Sequence, residues 1–379
     1  MSFLFEPIEI NNITLTNRII RSATYEACAD EKGRITDNTI ELYSRLAQGE
    51  IGMIVTGLTY VHKSGQFVPQ QAAIDNDDCL PGLKRLVDEV HKYDAKITVQ
   101  LAHSGKRSYV HDSRGEIPLA PSLIDADPGS QKAHREISVT EIEEIIDAFG
   151  HAARRAREAG FDAVQLHGAH SYLFSQFLSP LTNRRTDQWG GDLEGRMRFH
   201  IQITKVMRNM VGQDYPLLIK LGVKDEGTDG LTLEEGCRVA QALSFNGMDA
   251  IEVSEGMEEQ PAHHIRKNIK FWKEEAYYAE WAKEVKKTIT IPVISVGGMR
   301  SPDIMEKLIR EDYTDCIAMC RPFIREPFII QRWQTKDRKP AKCISCNLCV
   351  ERVIRQNEPL VCVQEIKLNE SREKQGQEK

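Results

Sequence analysis

Eight short runs along the chain are apolar almost throughout: NRIIRSA (17–23), GMIVTGL (52–58), KITVQLA (96–102), FDAVQLH (161–167), LLIKLG (217–222), MDAIEVSE (248–255), PVISVGG (292–298) and DCIAMC (315–320). A strand covered on one face alternates apolar with polar residues. A strand covered on both faces does not, and these runs are of the second kind. Between them, apolar positions recur with a helical period of about 3.6 residues, as in EIEEIIDAFGHAARRAREAG (141–160) and LEGRMRFHIQITKVMRNMVG (193–212). Ser138 with Glu141, Thr232 with Glu235, and Ser301 followed by Pro302 mark helix starts, because they satisfy or dispense with free N–H groups. Gly160 and Gly247 fall where two helices should stop, since glycine accepts the left-handed turn at a helix end. Eight strand–helix units in series predict an α/β fold with a parallel sheet, closed or doubly wound. The count of eight favours the (β/α)8 TIM barrel, whose chemistry sits at the C-terminal ends of the strands.

The barrel is expected over residues 1–335, a cysteine-bearing segment over 336–366, and a polar, disordered tail over 367–379;. The stretch between QLAHSGKRS and Ser138 is loop-rich, with Gly115, Pro118, Pro121 and Pro128, and is placed to cover the site. A net charge of −6 argues against nucleic acid or an anionic membrane as the main partner;. The opening MSFLFEPIEI has no basic n-region and is interrupted by Glu6 and Glu9, and no apolar run is long enough to span a bilayer, so the expected compartment is the cytoplasm;. Nine cysteines in such a chain do not read as a disulfide framework;. Five are scattered (Cys28, Cys79, Cys237, Cys316 and Cys320) and four cluster near the end.

Three groups of residues carry candidate chemistry. HGAHSY places His167, His170 and Tyr172 where the fourth strand stops. Two imidazoles three residues apart can converge on one oxygen gaining negative charge, and a phenol two residues on can deliver a proton. A zinc reading lacks the helical i, i+4 spacing and the glutamate of the metalloprotease motif; the plainer alternative is polar residues at a strand end. Gly297 and Gly298 follow the seventh strand and Arg321 the eighth, a common phosphate position in this barrel, although Gly–Gly also serves plain turns. Cys343, Cys346, Cys349 and Cys362 are spaced C-x2-C-x2-C-x12-C. Four thiolates in that order hold a 4Fe–4S cluster or a tetrahedral zinc; the alternative is four unconnected buried cysteines.

Together these residues resemble the old yellow enzyme family (NADH:flavin oxidoreductases), especially the barrel domain of 2,4-dienoyl-CoA reductase and the enoate reductases. The resemblance covers roughly residues 3–365 and rests on LFEPIEINNITLTNRI, VQLAHSGKR, AGFDAVQLHGAHSYLFSQFLSPLTNRRTDQWGGDLEGRMRF, SVGGMR and RPFIREP. The long central piece is the most specific of them. The resemblance implies FMN as cofactor, NAD(P)H as reductant and an enone or enoyl thioester as substrate. It implies that His167 and His170 grip the substrate carbonyl and that Tyr172 protonates the α-carbon. Gln100 then bonds the flavin pyrimidine edge, Gly57 lies near flavin O4 and N5, and Gly297, Gly298 and Arg321 take the phosphate. Ala23 and Thr24 line the flavin, with Tyr25 where relatives often carry cysteine or threonine. Lys220 stands where the family more commonly has arginine beside flavin N1 and O2, keeping the charge but losing the bidentate fork. Long relatives use a similar cysteine array, with a wider second gap, for a 4Fe–4S cluster. They also carry a further FAD and NAD(P)H domain that this sequence does not include. The expected electron source is therefore NAD(P)H directly, or a partner flavoprotein or ferredoxin. An FMN and iron–sulfur electron-transfer subunit is the alternative function, and a flavin-free phosphate-binding barrel lyase a third. Self-association is left open.

Overall fold

The computed structural model describes residues 2–110, 115–124, 133–258, 264–335 and 337–377, with side chains through Glu373. Pro128 of the loop-rich stretch lies outside the described residues. All eight apolar runs form strands: β1 (Ile19–Arg21), β2 (Met53–Tyr60), β3 (Lys96–Ala102), β4 (Ala163–Gly168), β5 (Leu217–Gly222), β6 (Ala250–Ser254), β7 (Val293–Ser295) and β8 (Cys316–Met319). Each pairs in parallel with its neighbours in sequence, and β8 pairs with β1 to close the barrel.

Period-two alternation divides each strand between two environments. Outward residues such as Val99, Val164, Leu166, Ile219, Ile251 and Val253 belong to the large core beneath the helices. Inward residues stack in layers. Ile20, Met53, Val55, Ala163, Leu218, Ala250, Ile294, Cys316 and Ala318 form an apolar plug, sealed by Ile10 and Leu15. Those two come from an antiparallel hairpin, Ile8–Ile10 with Ile13–Leu15, that closes one end of the barrel. Above the plug the inward layer turns polar, with Gln100, Gln165, Lys220 and Glu252 all buried.

The helix signals work as chemistry predicts. Ser138 and Thr232 each form a reciprocal capping box with the glutamate three residues on, and Gly160 ends its helix with φ of 92°. The TNRRTDQWGG stretch is an internal clamp. Arg185 is held by Asp187 at 2.6 Å and donates to the carbonyls of Pro121 (3.0 Å) and Ile137 (2.7 Å), fastening the loop-rich insertion to the barrel.

The C-terminal segment docks on the C-terminal ends of the strands. Helix Leu348–Arg355 follows Asn347, whose side chain accepts from Arg321 at 2.6 Å. The Leu360 N–H donates to the Glu26 carbonyl at 2.9 Å. Val353 and Leu360 pack with Tyr25, Leu58, Phe67 and Val68. A helix spans Val363–Gln377, so residues 367–377 of the tail read as disordered from its polarity continue a helix begun in the cysteine-bearing segment; the run is rich in good helix formers, and Arg325 ties the helix's first turn at 2.7 Å to Glu365;. Among the described residues no helix is long and apolar enough to cross a membrane.

Candidate active site

One cavity of about 260 Å³ opens at the C-terminal ends of the strands. It brings together Ala23, Thr24 and Tyr25 after β1, Gln100 on β3, His167, His170 and Tyr172 at the end of β4, Lys220 on β5, Gly297 and Gly298 after β7, and Arg321 after β8. Gly57 is the exception. It sits in an irregularity of β2 between Val55 and Leu58, and its N–H donates away from the cavity to Glu26 Oε1 (2.7 Å) and the Tyr43 hydroxyl (2.8 Å). Gly57, which the resemblance places near flavin O4 and N5, is not among the residues lining this cavity: a residue bulged out of the ladder has its N–H free for the buried carboxyl behind the strand;. Cys28 also faces that rear cluster, with its thiol 3.2 Å from the Glu26 carbonyl.

The two histidines are placed by different devices. His167 continues the inward register of Ala163 and Gln165. His170 and Ser171 both adopt left-handed backbone, φ 59° and 61°, held by their N–H bonds to the Glu255 and Gly256 carbonyls at 3.0 and 2.9 Å. That tight turn folds the second ring back, so the two imidazole centroids lie 5.2 Å apart. Tyr172 packs against His167 at 4.7 Å and edge-on to Phe67 at 5.2 Å. Buried His167 Nδ1 has no hydrogen-bond partner among the described residues, whereas His170 Nε2 meets Ser254 Oγ at 2.8 Å.

Burial, with Lys220 and then His264 adding positive charge nearby, pushes the His167 pKa well below the imidazole range. Burial and then His264 do the same to His170. Both rings are therefore neutral, each with one N–H to give. Burial raises the Tyr172 phenol far above its ordinary value, so it stays protonated.

Sequence reasoning missed a second layer on the β6 side. His264 stacks on His170, centroids 3.8 Å apart and planes 8° apart. Glu258 accepts from His264 Nδ1 and lies 3.6 Å from Arg107. Burial raises the Glu258 carboxyl, but His264 and Arg107 outweigh it and hold the group below its usual range. The period-two alternation in AIEVS could have flagged inward Glu252 and Ser254. Nothing local announces that His264 reaches His170.

The far end of the cavity is cationic. Arg300 and Arg321 line it beside Gly297 and Gly298. Both glycines have positive φ, 125° and 68°, and a Cβ on Gly298 would come within 2.5 Å of Ile269. Residues here suit a flat heteroaromatic ring ending in a phosphate: a polar floor, close-approach glycines, an arginine pair, and a neutral histidine pair with an unpartnered nitrogen.

The four clustered cysteines line a separate small cavity, which shares Arg321 and Ile324 with the large one. Burial, then Cys320 and Cys343, push the Cys349 thiol up to about 12, and burial raises Cys343 as well. Among the described residues no three His, Cys, Asp or Glu side chains stand together in metal-ligating geometry. The donor set suits a metal centre by its chemistry: four cysteines line one cavity, and a cation bound there would stabilise them as thiolates;.

A closed parallel barrel carries a cavity suited to a ring and a phosphate, with a His-His-Tyr triplet at one strand end. Residues 3–339 match the NADH:flavin oxidoreductase / NADH oxidase family. The chain belongs to this family. It is 36% identical over 367 residues to an NADH oxidase of Thermoanaerobacter brockii, covering 95% of this chain and 55% of that protein. It is 34% identical over 330 residues to an NADPH dehydrogenase of Geobacillus sp. (strain WCH70), covering 86% and 92%. Among solved structures, a 2-naphthoyl-CoA reductase in complex with 2-naphthoyl-CoA superimposes with TM-score 0.88 at 30% identity, covering 95% of this chain and 56% of that one. Morphinone reductase with tetrahydroNAD, TM-score 0.74 at 23% identity, shares the fold. The chain thus spans little more than half the length of the first relative and of the first of these structures.

Proposed function

We propose that this protein is an ene-reductase, reducing the electron-poor C=C bond of an α,β-unsaturated carbonyl compound or thioester. The carrying observation is the neutral, buried His167–His170 pair beside Tyr172, with His167 Nδ1 unpartnered. FMN, when bound, supplies the two-electron reduction of the C=C bond at the expense of NAD(P)H. The chain's own residues do the rest. His167 and His170 each donate an N–H to the substrate carbonyl oxygen, which gains negative charge as the bond is reduced. Tyr172 gives its hydroxyl proton to the α-carbon. Gln100 and Lys220 hold the flavin pyrimidine edge, with Ala23, Thr24 and Tyr25 along the ring. Gly297, Gly298 and Arg321 hold its phosphate. The 2-naphthoyl-CoA complex of a similar barrel supports a thioester as well as a simple enone.

The four cysteines bind a metal centre in this reading, a 4Fe–4S cluster before zinc. Three cysteines at two-residue gaps with a distant fourth suit a cubane. The shared wall of the two cavities, Arg321 and Ile324, favours a second use, in which a partner flavoprotein or ferredoxin exchanges electrons through the cysteine site. Protein purified without oxygen decides both points. Turnover of cyclohexenone with NADH or NADPH supports the reductase; no turnover, with rapid reduction by a partner protein, replaces it with the electron-transfer subunit. About four irons per chain support the cluster, one zinc makes the segment a structural staple, and four free thiols with no metal refute both.

A further inference from the structure

We infer that Glu252 is a positioning residue that sets the charge and the hydrogen-bond polarity of the cavity floor, acting through Lys220 and Gln100. The inference rests on the FMN reading above and deepens it. Glu252 is fully buried on β6. Its Oε1 accepts from Ser22 Oγ at 2.7 Å and lies 3.0 Å from Lys220 Nζ, and its Oε2 accepts from Gln165 Nε2 at 2.8 Å. Lys220 Nζ also donates to Ser22 Oγ at 2.7 Å. Gln165 Oε1 in turn accepts from Gln100 Nε2 at 2.8 Å.

A direction runs through this chain. A carboxylate only accepts hydrogen bonds. Gln165 must therefore turn its NH2 to Glu252 and its carbonyl to Gln100. Gln100 must then turn its NH2 towards Gln165 and give it one N–H, which turns its carbonyl oxygen away from Gln165 on the side of the cavity it lines;. An amide alone could present either end to a ligand. Glu252, two side chains away, removes that freedom.

Charge follows the same logic. Lys220 lines the cavity, but an acid at 3.0 Å compensates its charge. The ammonium has three N–H groups, and Ser22 and Glu252 engage two, so one remains for a ligand. The floor therefore offers one acceptor from Gln100 and one donor from Lys220, on a nearly neutral background. That pattern fits a ring edge carrying an N–H beside a carbonyl oxygen, and it disfavours added negative charge more than a lone lysine would. Glu252 should thus hold the reduction potential of bound FMN below the value that Lys220 alone would set.

Two variants separate the effects, and both are read by flavin titration and dye-coupled potentiometry rather than turnover. Wild type should bind FMN at least about tenfold more tightly than N3-methyl-FMN, which lacks the donor that Gln100 needs. Glu252→Gln should raise the midpoint potential by about 30 mV or more, a tenfold preference for reduced flavin in a two-electron couple. It should also erode the N3-methyl discrimination, because Gln165 can now flip. Gln165→Met keeps the Glu252–Lys220 pair, so it should lose the discrimination with the potential unmoved; it also serves if Glu252→Gln does not fold. An unchanged potential in Glu252→Gln, or unchanged discrimination in Gln165→Met, overturns the inference while FMN binding stands. Failure of the wild type to bind either flavin overturns the FMN reading and this inference with it.

Discussion

Replacing Tyr172 by phenylalanine removes one oxygen and leaves the ring. Contacts at 5.2 Å to Phe67 and 4.7 Å to His167 are ring contacts, so they survive the change. The fold should therefore lose no more than about 1 kcal/mol. Chemistry is another matter. Burial keeps the wild-type phenol protonated, so it is a ready acid throughout the neutral range. Losing a positioned general acid costs about 10²–10⁴ in rate, or about 2.7–5.4 kcal/mol at about 1.36 per decade. Only the step that protonates carbon needs this acid. In stopped-flow experiments, reduction of the flavin by nicotinamide should stay within about twofold of wild type, while reoxidation by cyclohexenone should fall by at least the lower of those factors. The wild-type reoxidation rate should also lack an acid limb from Tyr172, since a phenol already protonated gains nothing as pH falls. Equal slowing of both half-reactions would mean that the substitution disturbs the flavin. Slowing of neither would hand the proton to water and remove Tyr172 from the mechanism.

Three further outcomes are expected. Changing both His167 and His170 to alanine should weaken binding of a phenolate-forming ligand by up to two charge-assisted hydrogen bonds, about 1.5–3 kcal/mol each, read from a long-wavelength charge-transfer band; wild-type titration behaviour counts against the pair. Gly57→Ala should destabilise by about 1–3 kcal/mol through overpacking, because its Cβ would lie 2.0 Å from Glu26 Oε2 and 2.5 Å from the Thr24 carbonyl; urea denaturation measures this, and an unchanged midpoint contradicts the contact. His200 has neither ring nitrogen bonded among the described residues, and burial pushes its pKa down to about 3. The unfolded chain takes up a proton below about pH 6.5 that native His200 refuses, so stability should fall by about 1.4 kcal/mol per pH unit from there towards pH 3. His200→Leu should remove that slope, and identical acid-side slopes in mutant and wild type would refute it.

Much was legible in the sequence because it was local. A strand buried on both faces must be apolar in succession, and eight such runs with helical periods between them leave few ways to close a sheet. The capping boxes at Ser138 and Thr232 needed only a residue and its neighbour three along. His167, His170 and Tyr172 lie within six residues, so one turn suffices to gather them. Gly297, Gly298 and Arg321 were legible from their place after the last two strands, Gln100 and Lys220 through resemblance, and the cavity joins them because each lies on or follows a barrel strand.

Tertiary structure decided what depends on strands or loops meeting across the barrel. Gly57 lies within β2, where a local irregularity turns its N–H to Glu26 and Tyr43, residues well separated from it in sequence. His264 meets His170 across a long separation in sequence, and Glu258, itself beside Arg107, holds it there. The polar tail continues a helix because its residues favour helix and Arg325 anchors that helix's first turn, where composition alone signalled disorder;. Glu252 shows the division most clearly. Alternation within β6 places its side chain inside the barrel, but which donors it meets depends on where β1, β4 and β5 stand around the ring. Sequence periodicity fixes the face a residue presents; the direction of a hydrogen-bond chain exists only once separate strands have been closed around a common interior.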